Sequence, residues 1–167
     1  ATGEESDDES LGGAEMHATV SGLAEYLAED DADAVRIARE VVGRLGFARE
    51  ASGKPGGVEP RYPVDELAGV APLDFRQPCE MREVVARIVD ASEFFEFQPA
   101  YGAQTVCAHA EVHGHRVGIL TNNGPIDPAG ANKATHFIQA CCQSGTALLY
   151  LQNTTGYIVG RESEQAG

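Results

Sequence analysis

Residues 106–151, VCAHAEVHGHRVGILTNNGPIDPAGANKATHFIQACCQSGTALLYL, decide the fold class. Val106, Ala108, Ala110 and Val112 alternate with Cys107, His109, Glu111 and His113, the period of two that puts successive side chains on opposite faces of a strand. Gly114 turns the chain into Val117-Gly118-Ile119-Leu120, so the spacing predicts a β-hairpin. A polar loop, Asn122-Asn123-Gly124-Pro125, comes next, followed by a helix over residues 129–143 and a buried apolar strand over 147–151. Strand, helix and strand joined by short connections make a βαβ crossover, which implies a parallel sheet. The fold class is therefore α/β.

Working back towards the N-terminus, residues 79–90 (CEMREVVARIVD) place Met81, Val84, Val85 and Ile88 on one helical face, and a short aromatic stretch, Phe94-Phe95-Glu96-Phe97, follows them. Residues 51–78 lack a sustained period and contain SGKPGGVEPRYP and APLDFRQP. Proline removes backbone donors and restricts its predecessor, so this stretch reads as a linker between two units. Before it, Val35, Ile37, Ala38, Val41, Val42 and Leu45 recur at helical spacing. Asp30 or Asp31 suits the cap of that helix and Gly46 its stop. Three divisions result: residues 1–50, the linker 51–78, and 79–167. A single crossover also leaves strand edges unpaired and one side of the core open.

The chain has 167 residues, a formal charge of −14 and 43% hydrophobic residues, enough for one ordinary domain. No stretch approaches the ~20 consecutive apolar residues of a membrane span, and the start lacks the basic and apolar runs of a signal peptide. The expectation is a cytoplasmic protein. Nucleic acid and anionic membrane are excluded as partners by the acidic balance, since both draw affinity from lysine and arginine. Every charged residue before Arg36 is acidic, and Glu4 to Glu9 read as a solvated segment. Cys79, Cys107, Cys141 and Cys142 form no CxxC pair, which points to reduced thiols.

Among candidates for chemistry, His109, His113 and His115 come nearest to a metal cluster, but no fourth ligand stands at a zinc-like spacing. The polar face of the strand accounts for them, and no metal is expected. Cys141 and Cys142 lie in the apolar segment FIQACCQ, where cysteine packs as a small hydrophobe with a raised thiol pKa. No GxSxG elbow is present, and Gly12-Gly13 and Gly56-Gly57 lack the spacing of a phosphate-binding loop. The sequence therefore identifies no catalytic side chain. Residues 154–160 (TTGYIVG) follow the carboxyl end of a buried strand, where open α/β folds bind ligands; a turn without a ligand is the alternative. Asn122-Asn123-Gly124 falls at the same sheet end, so the two loops can line one crevice. Lys133 either reaches that crevice or is solvated.

ATGEE and LGGAEMH, SGLAEYLAEDDADAVRIAR, YPVDELAGV, REVVARIVDASEFFEFQPAYG, RVGILTNNGPI, KATHFIQACCQ and LLYLQNTTGYIVGRESEQAG together resemble the carboxyltransferase (β) subunit of biotin-dependent acyl-CoA carboxylases. NNG, FIQACCQ and QNTTGY are most similar to the methylcrotonyl-CoA carboxylase branch, with geranyl-CoA carboxylase nearby. The resemblance implies a crotonase-like fold in two related halves. It also implies a hexamer with active sites between the N-terminal half of one subunit and the C-terminal half of another. The cofactor would be carboxybiotin carried on a partner subunit, the biotin carboxylase/biotin carrier subunit, and the substrate an acyl-CoA. The deprotonated γ-carbon of an enoyl thioester would attack the carboxyl carbon, with backbone amides holding the enolate.

The resemblance further places Gly156, Tyr157 and Gly160 on the biotin side of the site, and implies a mitochondrial matrix location in a eukaryote. It makes this chain an internal piece, because the family's glycine-rich oxyanion segments would fall before Ala1 and after Gly167. The piece alone is then expected to be inactive. A biotin-dependent decarboxylase subunit and a non-catalytic subunit-packing module are the alternatives.

Overall fold

The computed structural model describes residues 3, 5–45, 56–74, 76–153 and 156–166. The expected stop at Gly46, the first residues of the linker and Thr154-Thr155 lie outside them.

Four strands form the centre: β1 (Phe94–Phe97), β2 (Thr105–Val112), β3 (His115–Asn122) and β4 (Ala147–Leu151). Their order is β1-β2-β3-β4. The first three are antiparallel neighbours, and only β3 and β4 run parallel. The sheet is thus mixed rather than parallel throughout, because the hairpin adds its strands to the edge of the crossover pair. Phe94–Phe97, which shows no alternation, becomes a strand by pairing with residues 107–110 of β2.

Seven α-helices accompany the sheet among the described residues: α1 (Asp8–Gly12), α2 (Ala14–Met16), α3 (Asp31–Arg44), α4 (Leu67–Val70), α5 (Met81–Ala86), α6 (Pro128–Ser144) and α7 (Arg161–Ala166). α3 starts as expected, with the Asp30 carboxylate accepting from Asp33 N at 2.8 Å. In α6 the Asp127 carboxylate accepts from Gly130 N at 2.6 Å, Pro128 occupies the first turn, and Gly145 N donates to Cys142 O. Local capping sets both ends of this helix.

α5 is shorter than the twelve-residue helix that the apolar spacing suggests. Ala91 N donates out of the helix to Val58 O at 3.1 Å, and the Asp90 carboxylate accepts from His113 N and Gly114 N at the hairpin turn. The buried set is accordingly Met81, Val85, Ala86 and Val89, with Val84 and Ile88 only half-buried. The stretch read as a linker contains a 3-10 turn, Val64–Glu66, and α4. Arg87 holds it, donating to Glu66 and Glu83 and lying over the Tyr62 ring.

Both faces of the sheet are covered. Val85 and Val89 pack with Ala110 and Ile119 on one face, and Phe137 and Cys141 of α6 pack with Cys107 on the other. The supposed polar face of β2 is therefore partly core: Cys107 is fully buried and the His109 ring lies 4.9 Å from Phe137. Cys141 is buried as expected, but Cys142 is exposed, one helical step off the packed face. The N-terminal segment crosses β1. Gln98 Nε2 donates to Gly22 O, the Tyr26 and Phe95 rings are 5.1 Å apart, and Arg44 lies over Phe95. Ile37 and Val41 of α3 turn inward, whereas Val35, Val42 and Leu45 are exposed.

Candidate functional site

The two loops singled out in the sequence meet at the carboxyl end of the parallel pair. Ile126 N donates to Gly156 O and Ile158 N donates to Ile126 O, both at 2.9 Å. Ile126 and Tyr157 thereby form a short parallel bridge that continues the β3/β4 pairing. Asn153 Nδ2 donates to Asn122 O at 3.1 Å and Thr121 Oγ1 to Leu151 O at 2.6 Å, which closes the seam below it. Asn122 itself turns inward, donating from Nδ2 to Gly124 O.

Of the three predicted site residues, Gly156 carries the carbonyl of this bridge and has a left-handed φ of +71°. Among the described residues, nothing beyond the chain neighbours lies within 4 Å of where a Cβ would stand at Gly156 or Gly160. Tyr157 is 71% exposed and Val159 81% exposed, so the loop presents a backbone ridge flanked by a free aromatic ring. These groups can offer hydrogen bonds and a stacking surface to a neutral ring.

Asn123 was legible only as a loop residue, yet its side chain makes two specific hydrogen bonds. Its Oδ1 accepts from Met81 N and its Nδ2 donates to Glu80 Oε1, both at 2.8 Å. It thus ties the loop to the start of α5. Burial works to raise the Glu80 pKa, but the hydrogen bonds from Asn123 and Arg82 and the Arg82 charge outweigh it, leaving the carboxyl below its usual value.

Lys133 does neither of the things expected of it. It is fully buried on the inner face of α6, with Nζ 3.7 Å from Glu96 Oε1 and no hydrogen-bond partner among the described residues. Desolvation pulls its pKa down against the opposing pull of Glu96. Arg82 grips the same carboxylate with two bonds, Nε to Oε2 at 2.7 Å and Nη2 to Oε1 at 2.6 Å, the fork geometry favoured by arginine.

The three histidines separate. His109 is against Phe137, His113 occupies the hairpin turn with φ +51°, and His115 is exposed on β3. Among the described residues no group of three His, Cys, Asp or Glu side chains converges as metal ligands would. The Cys107 thiol is pushed up to about 12 by burial, only partly eased by Lys133, and Cys141 is raised by the same cause; neither is poised as a nucleophile. One pair had no sequence signal at all: His17 Nδ1 and Ser21 Oγ are 2.8 Å apart on an exposed helical turn. A cleft of about 340 Å³ between α3 and β1, lined by Arg36, Glu40, Arg44 and Phe95 among others, lies at the opposite edge of the sheet from the two loops.

The whole chain, residues 1–167, matches the carboxyl transferase domain family. The chain belongs to that family. Its fold is accordingly the α/β, crotonase-like fold of carboxyltransferases. This carboxyl transferase chain is 51% identical over 168 residues to the probable biotin-dependent acyl-coenzyme A carboxylase beta2 subunit of Mycobacterium tuberculosis, covering 100% of the chain and 32% of that relative. It is 44% identical over 168 residues to the mitochondrial methylcrotonoyl-CoA carboxylase beta chain of Dictyostelium discoideum, covering 100% of the chain and 29% of that relative. Among solved structures it is similar to the β subunit of P. aeruginosa geranyl-CoA carboxylase, with a TM-score of 0.64 and 54% identity over 99% of the chain and 32% of that subunit. The chain spans about a third of the length of the curated relatives it matches. No helix among its described residues is long and apolar enough to cross a membrane.

Proposed function

We propose that this carboxyl transferase chain is a segment of the carboxyltransferase component of a biotin-dependent acyl-CoA carboxylase. In this proposal the component moves a carboxyl group from carboxybiotin to an enoyl-CoA such as 3-methylcrotonyl-CoA. The observation that carries it is the joined pair of loops at the carboxyl end of β3 and β4, in a chain of this family. Residues 1–50 would close the N-terminal half, 51–78 link the halves, and 79–167 open the C-terminal half. The partners are a biotin carboxylase/biotin carrier subunit and further copies of the same chain. The location is the cytoplasm, or the mitochondrial matrix in a eukaryote, as the name of the Dictyostelium relative suggests.

The residues suit a carboxylated ureido ring. Open space beside Gly156 and Gly160 admits a ring close to the backbone, and the exposed Tyr157 ring supplies an apolar wall. Carboxybiotin would supply the carboxyl group in activated form. The contribution of this chain is to hold position: the Ile126 bridge fixes the 156–158 backbone, so that its groups need no reorganisation when ligand arrives. NNG, FIQACCQ and QNTTGY support the methylcrotonyl-CoA carboxylase branch, with geranyl-CoA carboxylase nearby.

Carboxyl transfer from 3-methylglutaconyl-CoA to free biotin tests the proposal, comparing this chain with the complete reading frame that contains it. Activity confined to the complete frame is expected. Activity in neither, with geranyl-CoA chemistry also absent, overturns it.

A further inference from the structure

Asn123, Glu80, Arg82, Glu96 and Lys133 form one continuous chain of polar side chains from the loop after β3 into the interior. Asn123 Nδ2 donates to Glu80 Oε1, and Glu80 Oε1 also accepts from Arg82 N at 3.1 Å and Arg82 Nη1 at 3.0 Å. Arg82 then grips both oxygens of Glu96. Beyond Glu96 lies the Lys133 ammonium, fully buried and, among the described residues, ion-paired with this carboxylate alone at 3.7 Å. Glu96 sits on an edge strand with its side chain 12% exposed, so it serves one cation from α5 and another from α6.

These two helices grip opposite ends of the same short segment. Asn123 is bound to the start of α5, and α6 begins at Pro128, five residues further on. Between them lies Ile126, whose N–H and C=O hold Gly156 and Ile158. A buried carboxylate with two cations is seldom worth much stability, since desolvation offsets the attraction. It does fix a register, because removing it leaves an ammonium without a counter-charge in a water-excluded space.

We propose that Glu96 is a positioning residue for the site: through Arg82–Glu80–Asn123 on one side and Lys133 on the other, it sets residues 123–127 and hence the pairing of Ile126 with Gly156–Ile158. The functional part of this inference rests on the reading that those loops border the carboxybiotin side.

Amide hydrogen exchange on the chain tests the positioning directly. Glu96→Gln keeps the shape of the side chain and removes its charge. The amides of Ile126 and Ile158 are expected to exchange at least about tenfold faster in this variant while Ala108 and Ile119 in the central strands keep their protection, as for a local opening. Adding Lys133→Met, which removes the stranded ammonium, is expected to restore the slow exchange. Unchanged exchange at Ile126 and Ile158, acceleration of all amides together, or failure of Lys133→Met to rescue, overturns the proposal. In the complete carboxyltransferase the same variant should raise KM for free biotin more than it lowers kcat, with Lys133→Met again restoring it. Faster exchange at the two amides with unaltered transfer kinetics leaves the positioning role standing and overturns the placement of biotin at these loops.

Discussion

His109 shows how a single residue changes meaning between sequence and structure. In the strand pattern it belongs to the polar face, yet its ring rests on Phe137 and its backbone carbonyl accepts from Arg44 Nη1 at 3.5 Å. Burial, and secondarily the Arg44 charge, lowers its pKa from the ordinary 6.5. Between the lowered value and 6.5 the unfolded chain binds more protons than the folded one, so stability is complete above 6.5 and falls as the pH drops through that window. The urea midpoint of the chain should therefore fall between about pH 7.5 and about pH 5.5, and His109→Gln should lose less over the same interval. Equal losses in the two proteins would show that the imidazole is not the group responsible. Lys133 teaches the same lesson from the other side. Nothing in KATHFIQACCQ marks it as interior, because the carboxylate that tolerates it, Glu96, lies 37 positions earlier on a strand that shows no period of its own.

At the scale of elements, legibility followed locality. α6 was readable nearly to its ends because Asp127-Pro128 and Gly145 are adjacent to the turns they cap, and β2 and β3 were readable because Gly114 punctuates a clear alternation. β1 was not, since Phe-Phe-Glu-Phe carries no alternation and gains its strand only from β2. The loops were placed at the correct end of the sheet, but the Ile126–Tyr157 bridge and the Asn123 clamp depend on contacts over 30 and more residues that no local pattern encodes. Packing between elements is tight at Gly118, where β3 passes under α6. An added Cβ there would stand 2.6 Å from Cys141 Sγ and 3.1 Å from both Leu148 and Phe137. Cys141 and Phe137 are both fully buried and have little room to yield. Gly118→Ala should therefore cost about 1–3 kcal/mol in chemical denaturation, the usual range for overpacking. Full-strength stability in that variant would mean that α6 shifts away from the sheet at little cost.

The whole molecule raises the question of whether the N-terminal segment and the sheet unfold as one. Residues 22–44 lie across β1 through a few specific ties, and Gln98, only 2% exposed, reaches Gly22 O at 2.8 Å across 76 positions of sequence. Tyr26 rests on Phe95 in the same seam, and burial, with a further push from Glu25, raises its phenol to about 12. Gln98→Ala would strip a buried carbonyl of its donor, at about 1–3 kcal/mol. If the segment is integral to the fold, that loss should lower the denaturation midpoint equally when followed by Tyr26 fluorescence and by exchange of the β2 and β3 amides, because a two-state unit has one transition for all probes. Two separated midpoints, with only the tyrosine signal moved, would instead show residues 1–50 to be an independently unfolding unit. The contacts favour the single transition: Arg44 also lies over Phe95 and Arg116 Nη1 donates to Arg44 O, so both ends of the crossing segment are fastened to the sheet that carries the two loops.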